Sequence, residues 1–212
     1  VTPTPGDVAE VFDHELAAVA LIRAADAPAT AQDRVVEILT NLAERHGRQS
    51  LLLVLGPLTR FSAVFLTLGL EDDADPEQPY QKAVEEADRT SGRTLDGDAV
   101  HAAVNASRAA LNAQVGDNLL DTAVLPSLGQ LAADHGQPSS PPEAAVTIAF
   151  GWAMARLCAR FTHLVAEANP ERYATGPDFL DWWERHLLQR GAEEADMAAE
   201  GLDPWTDPEG RP

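Results

Sequence analysis

Residues 140–170 read SPPEAAVTIAFGWAMARLCARFTHLVAEANP. Ser140 supplies an N-cap hydroxyl, a proline follows at the first helical position, and Glu143 stands where a capping box places its carboxylate. Asn169-Pro170 stops the helix. From Ala144 to Ala155 the side chains are apolar nearly all round, and a helix of that kind normally occupies the centre of a bundle. The stretch of about 142–168 is therefore read as the central helix of an all-α protein.

Working outward, the same helical period recurs and no run alternates as a strand would. On the C-terminal side, Gly176-Pro177 precedes an amphipathic helix carrying Phe179, Trp182, Trp183, Leu187 and Leu188, ending near Gly191. On the N-terminal side, His135 to Pro142 is a Gly/Pro/Ser linker. Before it, Val100, Val104, Leu111, Leu119, Leu128 and Leu131 keep helical spacing, with a bend expected at Gly116 or Pro126. Residues 51–70, LLLVLGPLTRFSAVFLTLGL, have the length of a membrane span. Gly56-Pro57 and the central Arg60 favour a buried helix broken or kinked at Pro57 instead. Thr30 and Gly47 bracket a helix with Val35, Ile38, Leu39 and Leu42. Asp7 with Glu10 reads as a capping box for the first helix, with Val1 to Gly6 frayed ahead of it. The expectation is a bundle of six or seven helices in one domain, residues 1–190, followed by an acidic, partly flexible tail, residues 191–212.

The chain has 212 residues, 34 acidic and 15 basic, for a formal charge of −19. That balance argues against direct nucleic-acid binding, which draws on clustered Lys and Arg. The charge is uneven. Residues 71–98 hold ten acids against three bases, and residues 191–212 hold seven against one, so two segments carry −13 of the total. The first is read as a surface segment, with Asp75-Pro76 starting a short helix and Ser91-Gly92 ending it. With one cysteine, Cys158, there is no intramolecular disulfide, and its apolar setting reads as an inert buried thiol. No basic n-region with an apolar h-region opens the sequence, and the expected location is cytoplasmic, away from membranes.

No Gly-x-Ser-x-Gly elbow, phosphate loop or dinucleotide fingerprint occurs, so no catalytic residue and no cofactor is assigned. The six histidines form neither His-x-x-x-His nor the Glu-x-x-His pair of di-iron bundles; Glu10/His14, Asp98/His101 and His163/Glu167 have helical spacing only. Glu71-Asp72-Asp73-Ala74-Asp75 lacks the alternating ligands and turn glycine of a calcium loop. No metal is expected. Arg156 and Arg160 share a face of the central helix at i, i+4, and buried arginines need carboxylates or an anionic ligand. With Arg60 from the other apolar stretch they form the candidate ligand or anion pocket. Trp182, Trp183 and His186, and Trp205 in the tail, are candidate anchors for a protein partner, since Trp is enriched in binding hot spots. The competing reading has both helical tryptophans docking the last helix onto the bundle.

Three functions remain. The first is a non-catalytic protein–protein interaction module with a protein partner, with a homodimer as a further expectation. The second is a small-molecule-binding or enzymatic bundle with an Arg-lined pocket. The third is an acidic antagonist of a basic partner. The first is preferred, on the acidic segments and the tryptophans.

Overall fold

A computed structural model describes residues 4–27, 31–46, 49–70, 74–114, 118–136 and 144–204, and among them there is no strand. The helices are α1 (Pro5–Asp26), α2 (Ala31–His46), α3 (Ser50–Leu53), α4 (Leu55–Gly69), α5 (Glu77–Thr90) and α6 (Leu95–Leu111). A π turn (Leu120–Val124) leads into α7 (Leu125–Asp134), and α8 (Ala144–Ala168) and α9 (Gly176–Ala199) complete the order. The all-α expectation holds. The start of α8 at Ser140–Glu143 lies outside the described residues.

Helix α8 packs against α4, α6, α1 and α9. Phe150, Met154, Cys158 and Phe161 along it are fully buried. Two stretches, Ser50–Gly69 and Ala144–Ala168, are apolar and long enough to cross a membrane by length and composition, and half and two-thirds of each is buried within the bundle. The Cys158 thiol donates to the Leu58 carbonyl at 3.2 Å, and burial pushes its pKa well up. A thiol of that kind is a packing group rather than a nucleophile.

Several boundaries differ from the sequence reading, each for a physical reason. Thr4, not Asp7, caps α1: its hydroxyl accepts the Asp7 N–H, and its own N–H donates to the Asp7 carboxylate at 2.7 Å. That pair holds the Asp7 carboxyl below its ordinary pKa, chiefly through the Thr4 N–H. In the 51–70 stretch the break falls at Val54, ahead of Pro57. A proline clashes with the carbonyl four residues before it, here Leu53, so the helix restarts with Pro57 in its first turn, where no N–H partner is required. Pro126 acts similarly on the segment before α7, which widens so that the Leu125 N–H reaches the Leu120 carbonyl. Gly191 does not end the last helix. A Cβ there would lie 2.9 Å from the Phe12 ring, so glycine lets α9 pass close over α1, and the helix runs on to Ala199. Residues 191–199, assigned to the tail from sequence, are thus helical.

The acidic segment 71–98 is also less superficial than its composition suggests. Pro76 is the N-cap of α5, and the Asp75 side chain just ahead of it accepts the Glu77 N–H at 2.9 Å; Gly92 ends the turn after the helix with φ 57°. Yet Tyr80 on α5 is fully buried, edge-on to Phe161. Its hydroxyl meets Ser107 Oγ at 2.8 Å, Ser107 meets Ser62 at 2.7 Å, and Ser62 meets the Thr59 carbonyl at 2.7 Å. Each hydroxyl has one proton and the carbonyl only accepts, so the arrangement that satisfies all three runs from Tyr80 through Ser107 and Ser62 to Thr59.

Burial raises the Tyr80 pKa above its ordinary value. The unfolded phenol ionises near pH 10, so the contribution to stability is complete below about pH 10 and is lost as pH rises above it. Urea unfolding at about pH 8 and about pH 11 is expected to show a smaller alkaline loss for Tyr80→Phe than for the wild type. At the lower pH the variant is weaker by about 1 kcal/mol, one buried hydrogen bond. Equal alkaline losses would refute the assignment.

Candidate ligand cleft

The predicted arginines are divided between two concavities. The larger, about 560 Å³, is bounded by α1, by α3 and α4, and by the start of the π turn. On α1 the lining residues are Asp7, Glu10, Val11 and His14, and on the facing helices Leu53, Gly56, Pro57 and Arg60. Both sets follow the i, i+3, i+4, i+7 spacing of one helical face. Asn118, Leu119 and Leu120 close the third side. The Asn118 side chain organises that wall, accepting the Leu120 N–H at 3.1 Å and donating to Asp121 at 2.8 Å.

Glu15 forms the floor. Its side chain is 1% exposed, and its two oxygens are taken by Arg60 of α4 and Arg190 of α9. Arg190 lies over the Phe12 ring at 5.0 Å and its Nε faces Glu194 at 3.3 Å, while Arg60 lies over Phe61 at 5.5 Å. His14, 5% exposed, has Nδ1 2.8 Å from the Glu10 carbonyl. A carbonyl only accepts, so Nδ1 carries a proton and donates it. At Gly56 a Cβ would meet nothing within 4 Å. This glycine is not required for packing; it leaves the cleft open.

The smaller concavity, about 320 Å³, lies between the end of α1, the turn from α5 to α6, and α8, and is lined by Arg156, Arg160, His163, Asp26, Glu86 and Asp96 among others. Arg160 donates to Glu86 at 2.9 Å and His163 faces Asp26 at 2.8 Å. Arg156 is exposed rather than buried, with its guanidinium 5.8 Å from the centre of the Trp152 ring. The three arginines therefore do not converge. Arg156 and Arg160 share a wall, as their spacing required, and Arg60 belongs to the other cleft.

Trp183 packs edge-on against Phe61 at 5.5 Å and Phe65 at 5.2 Å, both on α4, so it docks α9 onto the bundle. Trp182 lies at the rim, flanked by His186 (5.6 Å, nearly parallel) and by the Arg172 guanidinium (4.8 Å). Trp205 lies outside the described residues, as do Glu71, Asp72 and Asp73. Among the described residues no group of three or more His, Cys, Asp or Glu side chains is placed to hold a metal ion. Glu15 was missed by the sequence reading; its only local signal was an acid inside the apolar period of α1.

No protein-family model matches this chain, and no curated protein or solved structure matches it either.

Proposed function

We propose that the protein is a helical small-molecule-binding module and that the cleft between α1, α4 and the π turn holds its ligand. The observation that carries this is the cleft itself, a volume in the range of ligand sites, floored by a buried charged residue and lined on one side by a helical glycine with open space above it. The π turn in its wall adds to this, since such turns recur at functional sites.

The interaction-module expectation rested on the tryptophans, on the acidic tail 191–212 and on the acidic segment 71–98. Glu77 pairs with Arg108, Glu86 with Arg160 and Asp88 with His101, so much of that acidity serves the bundle. Trp183 faces inward. These contacts leave the cleft as the better supported feature.

A thermal-shift screen of small molecules against the wild type and Gly56→Phe tests the proposal. A ligand at about one hundred times its Kd adds about 2.7 kcal/mol, a rise of roughly 5–10 °C for a chain of this size. The phenyl ring is introduced at a position where a Cβ meets no atom within 4 Å, and phenylalanine favours a helix more than glycine does. Hits are expected to stabilise the wild type and to lose that effect in a Gly56→Phe protein of undiminished helicity. Hits that stabilise both proteins equally, or no hits from a diverse library, would overturn it.

A further inference from the structure

The charges around the cleft select among ligands. Glu15, Arg60, Arg190 and Glu194 form a balanced set of two carboxylates and two guanidiniums. Arg60 offers an anion little net charge, because its guanidinium is paired with the Glu15 carboxylate, which is 1% exposed. At the mouth, Asp7 and Glu10 are exposed on α1. One Asp7 oxygen takes both the Thr4 N–H and the Thr4 hydroxyl, so the other is open. Among the described residues no cationic side chain lies within 4 Å of either carboxylate. Between mouth and floor the walls are mostly apolar, with Val11, which is 41% exposed, Leu53, Pro57, Leu119 and Leu120 beside His14 and Asn118. The cleft thus joins two carboxylates without a cationic partner among the described residues to a largely apolar trough, whose lining Arg60 is charge-balanced by Glu15. An anion would be repelled at the mouth, and a neutral apolar molecule would desolvate two carboxylates without replacing their hydrogen bonds.

We propose that the ligand is a small amphipathic cation, a protonated amine on an apolar body, with its ammonium at Glu10 and Asp7 and its body along Val11, Pro57 and Leu120. This inference rests on the cleft being the binding site.

Three probes of one chain length, n-octylammonium, n-octanol and n-octanoate, separate charge from apolar burial by titration calorimetry on the full chain. For the wild type, the amine is expected to bind about tenfold tighter than the alcohol, the gain of one charge-assisted hydrogen bond, and the carboxylate more weakly than the alcohol. Glu10→Gln, at an exposed position, is expected to cut the amine's advantage to about threefold or less. Gly56→Phe is expected to abolish binding of amine and alcohol alike. Equal binding of amine and alcohol, or tighter binding of octanoate, overturns the cationic class while the cleft reading stands. Amine binding that survives Gly56→Phe places it on the acidic surface generally and also overturns the inference. If none of the three binds, the inference falls, and the cleft reading is judged by the library screen alone.

Discussion

Alanine at both Arg60 and Arg190 is expected to lower stability by about 3–5 kcal/mol, a fall in melting temperature of roughly 10 °C for a chain of this length. The reason is asymmetric exposure. The two guanidiniums reach water, with side chains 44% and 34% exposed, whereas Glu15 is 1% exposed and cannot. Losing one arginine leaves the carboxylate with the other, so each single variant should cost much less than half of the double. The sum of the singles should fall short of the double by more than 1 kcal/mol, the signature of a shared partner. Adding Glu15→Leu to the double variant should recover most of the loss, because an apolar side chain of similar volume has no charge to desolvate. Chemical denaturation of the wild type and the four variants measures all of this. A double variant within about 1 kcal/mol of the wild type would mean that Glu15 is neither buried nor paired as described.

Helical content was legible because apolar side chains recur at the helical period through most of the chain. The frame of a cap was less so. Thr4 with Asp7 and Asp7 with Glu10 both satisfy the same spacing, and only Pro5, suited to the first helical position, distinguishes them. Breaks were placed at the prolines themselves, whereas the structure puts them upstream, where the proline ring meets a carbonyl. Tyr80 was hidden for a different reason. On α5 its buried neighbours are Pro79, Ala83 and Ala87, small side chains in a mostly polar helix, and its partners Ser107 and Phe161 come from α6 and α8. Nothing local announces a buried phenol whose hydrogen bonds are distant in sequence.

The candidate site was legible only within single helices. Arg156 and Arg160, four residues apart, do share a cavity wall. Arg60 was joined to them because both stretches are apolar, and apolarity sets burial without setting the angle at which a side chain leaves its helix. Glu15 illustrates the same limit: its partners lie 45 and 175 residues away in the chain. Gly56 was read as a breaker beside Pro57, although its consequence is an opening in the wall. Tertiary placement turns the same residue from punctuation into a site feature.

Phe65→Ala is expected to cost about 3–5 kcal/mol, comparable with the double arginine variant but by another route. Phe65 is fully buried on α4 and stacks with Phe61 at 5.7 Å. It also meets Phe179 edge-on at 4.9 Å and Trp183 at 5.2 Å, both on α9. Truncation therefore removes the side chain around which α9 docks, and rings on three sides cannot all collapse into the space. Phe65→Leu keeps most of the volume and should cost under about 1.5 kcal/mol if the neighbours repack. Trp183→Ala in the Phe65→Ala background should cost less than in the wild type by about 0.5–1.5 kcal/mol, the worth of an aromatic pair beyond its buried area. Trp182→Ala, at the half-buried rim, should couple to Phe65→Ala less than Trp183→Ala does, since Trp182 reaches Phe65 only through Phe179 and Trp183. Equilibrium unfolding of the series, with near-ultraviolet circular dichroism to report on the tryptophans, checks each value. A Phe65→Ala protein within about 1 kcal/mol of the wild type, with its tryptophan signal unchanged, would show that α9 is held by something other than this cluster.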